Sequence, residues 1–256
     1  MNSPDPSPIT DILYRYRSIA DAEPVLKENT LWYSSLAKMN DPLEGRYELS
    51  LNNPTDDFIP FFEEMFRAGH PQASRAEIDQ KVSTILANGD CYIRRELNEM
   101  IKEIQANVRN NWSFCCFSKT NTNILMWSHY ADKHQGCCIE FSFFRVSDLG
   151  VILPVSYNAL FPSESFVKTM QDEAALANLA ITTKWVEWSY ENEYRLVRPK
   201  PPGVVNISCK TIRRVIFGLN TQEDDKTKIR NWCAGTNIKF AQATLGRGYE
   251  ILIEPL

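Results

Sequence analysis

Apolar positions in the second half of the chain fall into short runs that turn residues separate, a pattern typical of β-strands. Two stretches with helical spacing, residues 165–183 and 222–234, interrupt these runs. Nearer the N-terminus, residues 12–17 fit a strand or one helical turn, and residues 31–36 fit a strand. The strands predicted in the second half cover residues 114–117, 136–143, 151–157, 194–197, 204–208, 215–219 and 249–254.

Residues 56–111 have a different, helical pattern. Ser74 and Glu77 have the spacing of a capping box, and Ile78, Val82 and Ile85 follow at helical intervals. We therefore predict a helical insertion over residues 56–111, in the N-terminal half of a single domain that spans residues 1–256. Strands in runs with helices grouped apart at their faces favour a mixed α+β fold over regular βαβ winding.

Composition adds few constraints. An apolar fraction of 43% is ordinary for a globular protein, so only residues 1–8, crowded with Ser, Pro and Asp, suggest disorder. The net charge of −4 provides no overall field that would attract nucleic acid or an anionic membrane. Basic pairs at Arg94/Arg95 and Arg213/Arg214 are interpreted as solvated surface charges, although they leave room for a small nucleic-acid contact.

Membrane and secretory signals are missing from the sequence. No run approaches the roughly 18 apolar residues that a membrane span needs, and no charged, then apolar, leader begins the chain. The seven cysteines are an odd set without C-x-x-C spacing, and two adjacent pairs cannot bridge within a strand. We expect reduced thiols and a cytoplasmic protein without a membrane partner.

Two segments combine polar side chains with apolar neighbours. In the first, Asn40-Asp41-Pro42 precedes Glu44; this is either plain turn chemistry or a loop carboxylate at a strand end. The second, residues 123–131, is predicted to be a short helix rich in Trp, His and Tyr that either docks structurally or lines a pocket. His129 and His134 are five apart, a spacing that argues against paired metal ligands on a helix, so no metal site is predicted.

The densest concentration of chemical groups lies in residues 185–196. If this segment is extended, Glu191 and Glu193 share one face with Arg195, whose positive charge would relieve their repulsion. The alternative is a Glu–Arg ladder on an exposed strand face. The flanking Trp185 and Trp188 argue against full exposure, because large aromatic side chains usually bury or line a cleft.

Three motifs resemble a known family. They are Leu13-Tyr-Arg-Tyr-Arg17 with the later Asn-Asp-Pro, then Leu125-Met-Trp-Ser-His-Tyr-Ala131, then Trp188-Ser-Tyr-Glu-x-Glu-Tyr-Arg195. Together they resemble a widespread bacterial family catalogued only as a domain of unknown function. The resemblance runs from about residue 12 to about residue 220 and leaves residues 56–111 outside its motifs.

The same arrangement is more distantly similar to ADP-ribosyltransferases. That resemblance implies a mixed, split β-core and NAD as the substrate that supplies ADP-ribose. It implies that Glu193 holds the ribose hydroxyl, that Glu191 orients or activates the acceptor, and that Tyr130 occupies the aromatic position. Arg17 would pair with the pyrophosphate. The other residues expected to contact NAD are Tyr16, Ser34, Asn40, Trp127, His129 and Arg195.

This chain departs from the arginine-modifying enzymes because their Ser-Thr-Ser strand motif is absent, unless Ser34-Ser35 serves loosely. The sequence-based hypothesis is transfer of ADP-ribose to a macromolecular acceptor, protein or nucleic acid, by a toxin or phage-defence effector with an antitoxin as a candidate partner. Two alternatives stay open. One is a metal-dependent nuclease or hydrolase that uses Asp41, Glu140 and Glu193; the other is a non-catalytic module that binds a nucleotide or a partner.

Overall fold

The computed structural model describes residues 10–144, 146–169 and 173–256, so the disorder predicted over residues 1–8 lies outside the described residues. Short 3₁₀ helices cover Leu36–Lys38, Thr55–Phe58, Val186–Glu191 and Cys209–Thr211. The α-helices are α1 (Ile19–Lys27), α2 (Ile59–Gly69), α3 (Arg75–Ala87), α4 (Asp90–Asn111), α5 (Ile124–Tyr130), α6 (Phe166–Thr169), α7 (Glu173–Thr182) and α8 (Glu223–Trp232). The strands are β1 (Thr10–Arg17), β2 (Thr30–Tyr33), β3 (Glu48–Ser50), β4 (Ser113–Ser118), β5 (Cys137–Phe144), β6 (Val146–Ser147), β7 (Gly150–Pro154), β8 (Ser156–Asn158), β9 (Ser163–Ser165), β10 (Thr183–Trp185), β11 (Glu193–Arg198), β12 (Gly203–Asn206), β13 (Ile212–Phe217), β14 (Lys239–Leu245) and β15 (Ile251–Pro255).

The main sheet of the described residues has the strand order β15-β14-β13-β5-β1-β4-β11-β7-β6. Its pairs are antiparallel except for β13 and β14, which run parallel, so the fold is α+β with a mixed sheet, as predicted. The central strands β1 and β4 are joined at one pair, Tyr14 with Ser118, whereas β1 and β5 pair along their whole length. The sheet is therefore split near its middle, and the split leaves a cleft between β1 and β4.

Side chains alternate between the two faces of the sheet along each strand, and helices cover both faces. Leu13 and Ile139 face a core that includes Leu26 of α1 and Ile229 of α8. Their strand neighbours Tyr16 and Cys138 face the opposite core, which α5 covers with Met126 and Trp127. This alternation fixes which face of each strand is available to the cleft.

Residues 56–111 are helical, as predicted, and the capping box between Ser74 and Glu77 is present. Helices α2, α3 and α4 bury their own apolar cluster, which includes Phe58, Phe62 and Leu97 and also takes Phe166 from α6. The segment thus contributes a separate small core rather than side chains that line the cleft.

Helix α1 and strand β14 are among the elements that were not predicted. Helix α1 contains Pro24, whose missing N–H argues against a helix interior, yet Ser18 caps the helix by accepting from the Asp21 amide. Strand β14 alternates small buried residues, Ala241 and Ala243, with polar ones, so its apolar pattern is too weak to stand out. In both cases packing against the sheet outweighs local preference.

Candidate active site

The cleft between β1 and β4 holds a cavity of about 270 Å³. Its walls come from β1, β4, the loop after β2, helix α5 and the segment around β10 and β11. Most of the residues predicted from the sequence to form the site line this cavity. They are Tyr16, Arg17, Ser34, Asn40, Tyr130, Glu191, Glu193 and Arg195.

The expectation that Glu191, Glu193 and Arg195 share one face of an extended segment is wrong. Residues Val186–Glu191 form a 3₁₀ helix that ends at Asn192, whose left-handed backbone has φ of 44°. Strand β11 begins only at Glu193, so Glu193 and Arg195 share a strand face while Glu191 reaches the cavity from the helix end. Side chains of neighbouring segments donate hydrogen bonds to backbone carbonyls of this helix, and these bonds favour the 3₁₀ helix over an extended conformation.

Five ionisable side chains meet at the floor of the cleft, and we call them the charge cluster: Glu44, Lys184, Glu191, Glu193 and Arg195. Arg195 donates from Nε to Glu193 Oε1 at 2.7 Å and from Nη2 to Glu193 Oε2 at 3.0 Å. Its Nη2 also contacts Glu44 Oε1. Lys184 Nζ lies 2.5 Å from Glu191 Oε2, 3.2 Å from Glu193 Oε2 and 4.0 Å from Glu44 Oε2.

The charge cluster is buried, so the alternative of a Glu–Arg ladder on an exposed strand is wrong. Glu193 is 4% exposed and Arg195 is 0% exposed. Burying a charge is costly unless partners compensate it. Here the cluster contains three carboxylates and two cations, which leaves one negative charge without a matching cation inside it.

The pKa values of the two glutamates in the Glu-x-Glu motif are shifted in opposite directions. Burial raises the pKa of Glu191, and the nearby Glu193 carboxylate adds to this effect although Lys184 opposes it. Burial also acts to raise the pKa of Glu193, but Arg195 and Lys184 outweigh it and hold that pKa well below its ordinary value. Glu193 is thus a fixed anion, while Glu191 is the carboxyl of the pair that more readily takes up a proton.

Two tyrosines hold the motif in place. Tyr130 of α5 donates its hydroxyl hydrogen bond to Glu191 Oε1 at 2.6 Å. The backbone N–H of Glu193 donates to Tyr157 Oη at 2.7 Å. Burial raises the pKa of Tyr130, and the Glu191 carboxylate raises it further, so Tyr130 stays a neutral donor.

Three of the predicted NAD-contacting residues sit near the cleft mouth. Arg17 at the end of β1 is half-buried and forms no hydrogen bond or ion pair with a described residue. Ser34 is tied to Phe114 of β4 by an isolated backbone bridge, and Asn40 is exposed on the loop that follows. A guanidinium without a protein partner is available to an anionic ligand.

Two other predicted residues do not line the cavity. Trp127 is fully buried behind Tyr16, with the two ring centroids 5.1 Å apart and edge to face, and its indole N–H donates to the Asn121 carbonyl. His129 is exposed on the outer side of α5, where its ring lies near those of Tyr130 and Tyr190. The structure therefore gives Trp127 a packing role and leaves His129 outside the cleft.

Two members of the charge cluster, Lys184 and Glu44, were not predicted as site residues. Lys184 is 7% exposed and lies directly before the aromatic Trp185. Its signal in the sequence was a lone cation at the end of an apolar helix and beside an acidic, aromatic segment. Asp41 also has a role, because it accepts from the indole N–H of Trp188 at 3.1 Å and ties the loop to the 3₁₀ helix.

The carboxylates proposed for a metal-dependent alternative are not gathered around one point. Glu140 is paired with Arg214, and Asp41 accepts from Trp188. Across residues 10–144, 146–169 and 173–256, no group of three or more His, Cys, Asp or Glu side chains is placed to hold a metal ion. All seven cysteines are free thiols.

Comparison with known proteins gives one match. Residues 126–196 match the model of a family described as a protein of unknown function (DUF2971). The matched segment includes Tyr130, Lys184 and the Glu-x-Glu motif. No curated protein and no solved structure matches the chain. No helix within the described part of the chain is long and apolar enough to cross a membrane.

Proposed function

We propose that this protein is an ADP-ribosyltransferase-like enzyme that moves ADP-ribose from NAD to a macromolecular acceptor. One observation carries the proposal: a buried Glu-x-Glu pair with opposed pKa shifts lies at the floor of a cleft where the central sheet splits. An aromatic hydroxyl from α5 and an arginine at the cleft mouth, Tyr130 and Arg17, complete the set that the resemblance implies.

The reaction breaks the bond between the nicotinamide nitrogen and ribose C1′, and the electron pair leaves on nicotinamide. Positive charge develops on the ribose as that bond lengthens. A carboxylate that is already fixed and desolvated stabilises such charge without reorganising. Glu193 fits this role because Arg195 and Lys184 hold both of its oxygens.

The acceptor must lose a proton when its lone pair attacks ribose C1′. Glu191 is suited to take that proton, because its raised pKa brings it closer to the working pH and its carboxyl group lines the cavity. Tyr130 orients Glu191 through a 2.6 Å hydrogen bond. Arg17, which has no partner among the described residues, would bind the pyrophosphate of NAD.

The test is NAD turnover with purified protein and NAD labelled in its adenine ring, in the presence of bacterial lysate as a source of acceptors. Native protein releases nicotinamide and transfers the label to a macromolecule. Glu193→Gln and Glu191→Gln each lower the rate by about 100–1,000-fold, the range for loss of one group that acts in the transition state. Glu64→Gln, an exposed residue on α2, is the matched control and keeps the native rate.

Expression in bacteria provides a second readout. If the activity makes the protein a toxin or defence effector, native protein arrests growth and Glu191→Gln does not, at equal protein levels. Native protein that leaves NAD intact in the purified assay, or a Glu191→Gln variant as active as the native chain, would overturn the proposal.

A further inference from the structure

A strip of cations lies beside the cleft, on strands β13 and β14 of the main sheet and the segments that flank them. We define the basic strip as Lys210, Arg213, Arg214, Lys239 and Arg247. The first four line one groove, where Glu140 is the single acidic side chain. Arg214 also lines a second groove, together with Arg247, Glu250 and the exposed ring of Tyr249. Such a concentration of cations stands out in a chain whose net charge is −4.

Strand register connects this strip to the cleft. Tyr14, which lines the cleft, pairs with Glu140 on β5, and Glu140 pairs with Arg214 on β13. Arg214 pairs in turn with Lys239 on β14. These side chains share the sheet face that α5 covers further along, because Cys138, Ile216 and Ala241 lie two residues away from them in the α5-side core. With strands about 4.8 Å apart, the strip begins within about 15 Å of the cleft.

Most of the strip's cations are free to bind an anion. Many exposed cations elsewhere pair with a neighbouring carboxylate, as Lys27 does with Glu23 and Lys102 does with Glu99. Lys210, Arg213, Lys239 and Arg247 are exposed and form no ion pair with any residue that the structure describes. Arg214 is the exception, because Glu140 holds it in place.

Two local features mark the ends of the strip. The pairing of β13 with β5 shifts register between Ile212 and Arg214, so Arg213 sits at an irregularity in the strand. Such irregularities re-aim side chains and recur beside functional sites. At the far end, Tyr249 is 96% exposed, which presents an aromatic face to solvent next to Arg247.

We infer that the basic strip binds the phosphate backbone of a single-stranded nucleic acid and leads it to the cleft. Cations in a row match regularly spaced phosphates, and an exposed tyrosine beside them is a stacking platform for a base. The binding itself stands on these residues alone. The further step, that the bound strand is the acceptor of ADP-ribose, rests on the proposed function.

The experiment measures binding of a fluorescently labelled single-stranded oligonucleotide of mixed sequence by anisotropy, over a series of salt concentrations and without NAD. The test variant replaces Lys210, Arg213 and Lys239 by Gln. The matched control replaces Lys27, Arg95 and Lys102 by Gln, which removes the same number and type of exposed cations elsewhere.

Native protein binds the strand, and the test variant binds about tenfold or more weakly near 0.1 M salt. Its slope of log Kobs against log salt becomes shallower by about 2, because each phosphate contact on a single strand contributes about 0.7. The control variant stays within about threefold of native affinity. Tyr249→Ala weakens binding about tenfold without changing the salt slope.

Three results overturn the inference: no binding by native protein, equal loss in the test and control variants, or displacement of the strand by polyglutamate as readily as by unlabelled oligonucleotide. The last would identify an acidic protein surface as the ligand. If native protein binds the strand but does not turn over NAD, the proposed function is removed and the inference about the basic strip still holds. If native protein turns over NAD but does not bind the strand, the inference about the basic strip is overturned and the proposed function still holds.

Discussion

Replacing Glu193 and Glu191 by glutamine separates electrostatic support from catalysis, because the two carboxylates have different partners. Both oxygens of Glu193 accept from cations: Oε1 from Arg195 Nε, and Oε2 from Arg195 Nη2 and Lys184 Nζ. The Cys116 side chain is also hydrogen-bonded to this carboxylate. A glutamine amide nitrogen can only donate hydrogen bonds. In Glu193→Gln this nitrogen therefore faces cationic donors and can accept no hydrogen bond from them. Arg195, fully buried, is then left without its main counter-charge.

Removing one partner of a buried ion pair costs about 3–5 kcal/mol. In a domain of this size each kcal/mol shifts Tm by about 2–4 °C. We therefore expect Glu193→Gln to lower the Tm at pH 7 by roughly 6–20 °C.

Glu191→Gln is expected to behave differently. Its amide oxygen can still accept from Lys184, and its amide nitrogen can donate to the Tyr130 hydroxyl oxygen, so both contacts of Glu191 are kept. The substitution also removes the negative charge for which the cluster has no matching cation. Stability should stay within about 1 kcal/mol of native or rise, while activity is lost, as at sites where function opposes stability.

The assay is thermal unfolding followed by circular dichroism at pH 7, with Glu64→Gln as the surface control. If the Tm of Glu191→Gln falls as far as that of Glu193→Gln, the claim that the charge cluster holds one unmatched negative charge is refuted. A Glu193→Gln protein with native Tm would refute it equally, because Arg195 would then not depend on Glu193.

Three further predictions concern the same side chains. NAD turnover should rise with pH through the raised pKa of Glu191, and the acidic limb of the pH–rate profile should disappear in Glu191→Gln. The depressed pKa of Glu193 stabilises the fold above its unfolded value near 4.5, and this contribution should be lost as pH falls towards about 2, so acid unfolding of Glu193→Gln should show a weaker pH dependence in that window. Tyr130→Phe should cost about 1 kcal/mol in urea unfolding and slow turnover, since it removes one hydrogen bond to Glu191; an unchanged rate would argue against an orienting role.

Local patterns in the sequence determined the elements and the chemical types at the site. Alternating apolar runs gave most strands of the main sheet, and Ser74 with Glu77 marked the start of α3, because these signals depend on neighbours within a few residues. The Glu-x-Glu motif and the helix that carries Tyr130 were identified for the same reason. Where local signals conflict with packing, as at Pro24 in α1 and in the alanine-rich β14, the prediction missed the element.

Only the tertiary structure decided which charges meet. Arg195 contacts Glu44 across 151 positions of sequence, and Tyr130 reaches Glu191 across 61. Such contacts depend on strand order and on where the sheet splits, which no local pattern encodes. Burial was likewise undecidable from spacing, since Glu193 and Arg195 on one strand face fit an exposed ladder as well as a buried cluster. The sequence determined which groups are present, whereas the fold determined their desolvation and pairing, and these set the opposed pKa values on which the proposed chemistry depends.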